Sequence, residues 1–150
     1  MRGQRGFSLI ELIVVVVMIA ATTALAASVM TSGLPGQQLR SASRELAAQL
    51  RYTRAQAIVT GKPQLFTLDV RTREWHAPGR RRGTLPSGID IVATGARVEQ
   101  TQADTATIRF FPEGAATGGR IVLSRGDAAW QLDVQWLTGE VAISRAPAPR

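Results

Sequence analysis

The chain has 150 residues, with 18 Lys and Arg against 11 Asp and Glu, one histidine and no cysteine. That length suits one globular domain beside an anchor. The absence of cysteine excludes a disulfide framework, a thiol nucleophile and any cysteine metal site. The formal charge of +7 reads as a solvated basic surface, with nucleic acid or another anionic surface as the alternative.

Residues 1–6, Met-Arg-Gly-Gln-Arg-Gly, form a short basic leader. An apolar run follows from Phe7 to Ala20, broken by Glu11, the only charge between Arg5 and Arg40. The 19 residues from 12 to 30 carry no charge and would span roughly 28 Å as a helix, close to the hydrocarbon thickness of about 30 Å. A carboxylate in a membrane-spanning helix costs roughly 2.5–3.5 kcal/mol, so Glu11 needs a partner and a role. Arg2 and Arg5 place the leader in the cytoplasm, and the residues after about 30 then face the periplasm of a two-membrane bacterium. A secretory signal peptide is the rival reading, with Ala24-Leu25-Ala26 before Ala27 as its cleavage site. Against it, the uncharged stretch exceeds a usual apolar core of about 7–15 residues, and Glu11 would lie inside it unneutralised.

Thr31-Ser32-Gly33-Leu34-Pro35-Gly36 predicts a kink or a brief non-helical break. A second helix is expected over 37–60, because Leu39, Ala42, Ser43, Leu46, Leu50, Thr53 and Ala57 recur at three- and four-residue steps, flanked by Ala47 and Ile58. Gly61 and Pro63 end it. The small side chains of this stripe are expected to pack on the domain's own sheet, and the outer face is free to pack against other subunits.

From Pro63 the period changes to two. Phe66, Leu68 and Val70 share one strand face, and Arg71-Thr72-Arg73 turns the chain into Glu74-Trp75-His76. Residues 78–83 are expected to form a basic loop. Alternation predicts strands around Ile89 and Ile91, Ile108 and Phe110, and Ile121 and Leu123, with Pro112-Glu113-Gly114 and Arg125-Gly126-Asp127 as turns. Trp130, Leu132, Val134 and Trp136 line one face of the clearest strand, and both tryptophans are expected in the core or against the helix. A last strand covers 141–144, and the tail 145–150 is expected to be loose. Helices followed by strands give an α+β fold with antiparallel sheets: leader 1–6, transmembrane helix 7–30, periplasmic helix 31–62, β-rich domain 63–144 and tail 145–150.

No catalytic constellation is present in the sequence. His76 stands beside Trp75 near a turn and reads as a surface histidine. Ser87 lacks the GxSxG surroundings of a nucleophile elbow, the aspartates have no calcium-loop spacing, and the glycine-rich stretch 114–119 has no GKS/T ending. The chain is expected not to be an enzyme and to need no cofactor or metal.

The segment Gly6-Phe7-Ser8-Leu9-Ile10-Glu11-Leu12 resembles the processing signal of type IV pilins and type II secretion pseudopilins. The resemblance implies cleavage by a prepilin peptidase between Gly6 and Phe7, N-methylation of Phe7, and an assembly role for Glu11 as the fifth mature residue. Such cleavage leaves a positive amine at Phe7, and an amine and a carboxylate in low dielectric attract strongly, while either alone is costly to bury. Spacing alone leaves open whether Glu11 meets its own amine or a neighbour's; the resemblance implies the neighbour's.

Three later stretches resemble the H-type minor pseudopilin of type II secretion: residues 50–58, residues 110–121 around Phe-Phe-Pro-Glu-Gly, and Trp136-Leu137-Thr138-Gly139-Glu140-Val141. This implies a two-sheet β domain on a long helix and a place at or near the tip of a periplasmic pseudopilus. The implied partners are other minor pseudopilins, the major pseudopilin, the peptidase and the inner membrane. The related FimT-type minor pilins, some of which bind DNA through a C-terminal GRxR motif, are the alternative. Here the matching segment reads Gly139-Glu140-Val141-Ala142, without arginines, and Gly79-Arg80-Arg81-Arg82 lies elsewhere, so nucleic acid is not expected as a partner.

Overall fold

The computed structural model describes residues 9–32, 34–95 and 104–147, with the backbone alone at 24–32, 34, 35 and 95. Gly6 and Phe7, the leader 1–6 and the tail end 148–150 lie outside the described residues. The chain divides into two compact units, one ending at Pro35 and the other starting at Gly36.

The first unit contains α1 (Leu9–Ser32), 24 residues and therefore about 36 Å of helix. It has neither Gly nor Pro inside it, so nothing in the backbone interrupts the hydrogen-bond ladder. The large apolar side chains from Leu9 to Ile19 are all substantially exposed, from 48% at Val15 to 77% at Leu9. A helix that is apolar all round has no face suited to water. Its two described hydroxyls are turned inward: Thr22 donates to the carbonyls of Met18 and Ile19, and Thr23 to those of Ile19 and Ala20, each at 2.9 Å. Among the described residues no helix is long and apolar enough to cross a membrane; α1 is described with its side chains only as far as Thr23.

Residues 31, 32 and 34–36, expected to interrupt the helix, are helical. Gly33 itself lies outside the described residues. Pro35 falls in the first turn of α2 (Leu34–Thr60), where its missing N–H would have had no helical partner. In the second unit the α2 stripe is buried as expected: Leu39, Leu46, Leu50 and Ala57 are fully inaccessible, and Ala42 and Ala47 nearly so. Ser43 and Thr53 join it by donating to the carbonyls of Leu39 and Gln49, each at 2.8 Å. Ile58, expected to flank the stripe, is 46% exposed.

Among the described residues, eight strands form two antiparallel four-stranded sheets. The first has the order β3 (Arg81–Thr84), β2 (Glu74–Ala77), β1 (Gln64–Asp69), β5 (Thr105–Phe110). The second has the order β4 (Asp90–Gly95), β6 (Gly119–Arg125), β7 (Ala128–Val134), β8 (Val141–Ala146). One core joins α2 to both sheets, with Phe66, Leu68, Trp75, Ile108 and Phe110 from the first and Ile121, Leu123, Leu132 and Val141 from the second. Phe66 stacks on Trp75, ring centroids 6.4 Å apart. Trp75 fits because Gly83 lies opposite it in the β2–β3 register: a Cβ at Gly83 would come within 2.5 Å of the indole.

Four local expectations need correction. The basic loop 78–83 is half strand, because Arg81 to Thr84 pair with Glu74 to Ala77. β1 stops at Asp69, and Val70 instead donates its N–H to the Asp104 carbonyl at 2.7 Å. β7 ends at Val134, and Trp136 is 66% exposed rather than buried. Two residues assigned to the loose tail belong to β8, where Arg145 pairs with Trp130 and Ala146 with Ala129.

Candidate functional site

Two regions carry features that an isolated soluble domain does not require. The first is α1. Gly6 and Phe7 lie outside the described residues, so the structure places neither. Glu11 sits in the first turn of α1, exposed among apolar neighbours. The positive end of the helix dipole favours a carboxylate there. The described side chains of this helix form a continuous exposed apolar surface in which Glu11 is the single charged group.

The second region is a junction in the second unit, where the C-terminal half of α2 meets two loops. Arg54 Nε donates to the carbonyl of Gly114 at 3.2 Å and to that of Thr138 at 3.0 Å. One turn earlier, Arg51 Nη2 donates to the Val141 carbonyl at 2.9 Å. The loops are also tied to each other, since Ala116 N–H donates to the Trp136 carbonyl at 2.8 Å. Gly139 lies so close to the Gly114 carbonyl that a Cβ there would overlap it. The three stretches that carry the subfamily resemblance therefore meet at one place. Arg51 and Arg54 are not among the apolar-stripe positions of α2. Nothing in the helical period signals that they hold backbone carbonyls 60 to 90 positions away.

The closing hairpin is rigidly held. Gln135 N–H donates to the Glu140 carbonyl at 2.9 Å and Gly139 N–H to the Gln135 carbonyl at 2.8 Å. Trp136 and Leu137, 66% and 67% exposed, are thus presented by a fixed loop. Trp130 is placed differently: it is half-buried against the core, with the Arg40 and Arg145 guanidiniums at 6.0 and 5.7 Å from its ring centroid.

The residues inspected for chemistry do not converge. His76 is exposed on β2 and Ser87 lies in an exposed turn. No group of three or more His, Asp or Glu that could hold a metal occurs among the described residues. The perturbed carboxylates are explained by local structure. The backbone N–H of Thr72 lowers the pKa of Asp69, which accepts that hydrogen bond at 2.7 Å across the β1–β2 turn. Burial raises the pKa of Asp133, but hydrogen bonds from Gln131 and Arg120 outweigh it, and the net shift is downward. Arg120 Nε lies 2.7 Å from the Asp133 carboxylate.

A carboxylate whose pKa falls on folding stabilises the fold fully above its unfolded value, here 3.8, and loses that contribution as pH drops through the lower folded value. Arg120 is exposed and Asp133 partly so, so the contribution is under about 1 kcal/mol. Asp133→Asn is expected to cost up to that amount at pH 7 and less at pH 2, measured by urea unfolding at the two pH values.

The chain matches the family model described as Type II transport protein GspH over residues 42–139. The chain belongs to the GspH family. Its match begins on the buried stripe of α2 and ends at Gly139, at the junction just described. The model for the prokaryotic N-terminal methylation motif matches residues 1–27, which include Gly6, Phe7 and Glu11. Type II secretion system protein H of Xanthomonas campestris pv. campestris is 50% identical over 150 residues, 99% of this chain and 89% of that protein. Among solved structures, the minor pseudopilin EpsH of the Vibrio cholerae type 2 secretion system has a TM-score of 0.55 at 14% identity, covering 75% of this chain and 99% of that one. The type IV minor pilin FimU of Pseudomonas aeruginosa has a TM-score of 0.57 at 15% identity, covering 73% and 90%. At such identities both show the pilin-like fold that this GspH-family chain shares.

Proposed function

We propose that this GspH-family chain is a minor pseudopilin at or near the tip of the periplasmic pseudopilus of a type II secretion system, where it helps drive folded proteins across the outer membrane. A prepilin peptidase cleaves between Gly6 and Phe7 and methylates Phe7. Residues 7–30 then hold the chain in the inner membrane as a single span, with the second unit in the periplasm. Glu11 neutralises the amine of an adjacent pseudopilin, and the apolar surface of α1 packs against neighbouring helices of the major and other minor pseudopilins. The protein catalyses nothing; its work is assembly.

The observation that supports this most is the 50% identity, over nearly the whole chain, to a protein named for type II secretion. The likeness to FimU is one of fold and does not favour a pilus role. The absence of arginines from Gly139-Glu140-Val141-Ala142 weighs against a DNA-binding pilin.

Intact-mass spectrometry of the protein purified from host membranes tests the first step. The expected polypeptide begins at Phe7 and is one methyl group heavier than its sequence. Gly6→Leu is expected to keep the leader, since a bulky residue there blocks the cut. A mature chain starting at Ala27, or normal shortening of the Gly6→Leu variant, would refute the assignment.

A further inference from the structure

The β2–β3 hairpin carries a basic cluster that the assembly role leaves unexplained. In the register, His76 faces Arg82 and Ala77 faces Arg81, with Pro78, Gly79 and Arg80 closing the turn. Strand alternation separates these residues by face. Trp75 points into the core, so Arg81 lies on the inner side. There its guanidinium stacks 4.2 Å from the Tyr52 ring centroid and donates to Gln49 Oε1 at 3.2 Å. Arg81 therefore anchors the hairpin to α2. His76 and Arg82 lie on the opposite, outer face as a directly opposed pair, both exposed.

Arg80 is the second unusual feature. Its φ is +61°, a left-handed conformation that costs a non-glycine residue about 1–2 kcal/mol. Charges on an edge strand commonly serve to block edge-to-edge pairing, and β3 is an edge. That role accounts for Arg82 but not for an arginine in the turn, where glycine would be unstrained. Strain retained at an exposed charged residue points to a use for its side chain. Three shallow depressions on this face share His76 as a wall, and Arg82 lines two of them.

We propose that the outer face of the β2–β3 hairpin is a docking site for a short acidic protein segment, whose carboxylates are held by Arg80 and Arg82 and by the N–H of the His76 ring. Guanidinium groups bind carboxylates through paired, charge-assisted hydrogen bonds. The site suits a short segment better than a long polyanion. Glu74 and Asp69 share the outer face by the same alternation, so a phosphate backbone running across the sheet would meet two carboxylates. Three donors at one hairpin tip also fall short of the roughly 6–10 phosphate contacts typical of duplex binding. A second copy of this chain is a poor occupant, because its formal charge is +7.

The test uses the full chain in nonionic detergent and a fluorescein-labelled decaglutamate peptide, with binding read by anisotropy at low salt. The double variant Arg80→Gly, Arg82→Gln removes the two guanidiniums while relieving the strained turn. Arg44→Gln with Arg71→Gln removes the same charge from exposed sites elsewhere. The first pair is expected to weaken binding about tenfold or more, and the second by less than about twofold. Using Arg82→Lys in place of Arg82→Gln should recover part of the loss. Equal weakening by the two pairs, or no weakening by either, would overturn the proposal. So would tighter binding of a duplex of about 20 base pairs, or of phosphatidylglycerol vesicles, with the same dependence on Arg80 and Arg82.

Discussion

Replacing Glu11 with leucine is expected to leave membrane insertion intact and to reduce incorporation into the pseudopilus by about 10²–10⁴-fold. The two effects separate because the carboxylate acts oppositely on them. Inserting Glu11 alone costs roughly 2.5–3.5 kcal/mol on insertion scales, whereas leucine favours the bilayer centre. Insertion is therefore as good or better in the variant. In the assembled fibre, an incoming subunit's amine would meet no anion, and removing one partner of a buried pair costs about 3–5 kcal/mol. Glu11→Gln, which keeps the shape and a hydrogen-bonding oxygen but loses the charge, should fall between the two. The chain has no cysteine, so single thiols introduced into it and a partner pseudopilin report incorporation by disulfide crosslinking, and carbonate extraction reports insertion. Undiminished crosslinking of the leucine variant would remove Glu11 from assembly.

The pattern of the second unit was legible where a single period governs burial. The α2 stripe needed only three- and four-residue spacing, and all seven of its named positions are buried. β5 and β6 likewise follow period two, with Ile108, Phe110, Ile121 and Leu123 turned inward. Alternation failed where a turn cut a strand short. Trp136 continues the phase of Trp130, Leu132 and Val134, but the chain leaves the sheet after Val134, and phase then carries no information. Arg81 to Thr84 were hidden for the opposite reason: a strand with two arginines, no large apolar residue and a glycine where an indole needs room offers no alternation to detect.

The candidate sites divide in the same way. The N-terminal methylation motif is local, so a few adjacent residues suffice to recognise it and to propose roles for Gly6, Phe7 and Glu11. The junction around Arg54 was not legible, although each of its three segments had been singled out. Their meeting depends on sheet order and on hydrogen bonds between residues far apart in sequence, which neither helical nor strand period encodes.

That junction yields the second large expected effect, destabilisation by Gly139→Ala of about 3 kcal/mol or more. Two causes add. At Gly139 φ is +63°, and a side chain in that region costs about 1–2 kcal/mol. A Cβ would also overlap the Gly114 carbonyl and sit 3.0 Å from Arg54 Nε. Relief requires the two loops to part. Their separation weakens the bonds from Arg54 to Gly114 and Thr138, and hydrogen bonds from a charged donor are worth about 1.5–3 kcal/mol each. Gly126→Ala isolates the first cause, because Gly126 has φ +57° and open space around the missing Cβ; it should cost only about 1–2 kcal/mol. Arg54→Ala isolates the second by removing the donor without strain. Urea unfolding of the full chain in detergent, followed by near-ultraviolet circular dichroism, measures all three. If Gly139→Ala proves no more costly than Gly126→Ala, the loops do not depend on their close approach, and the junction is a consequence of the fold rather than one of its supports.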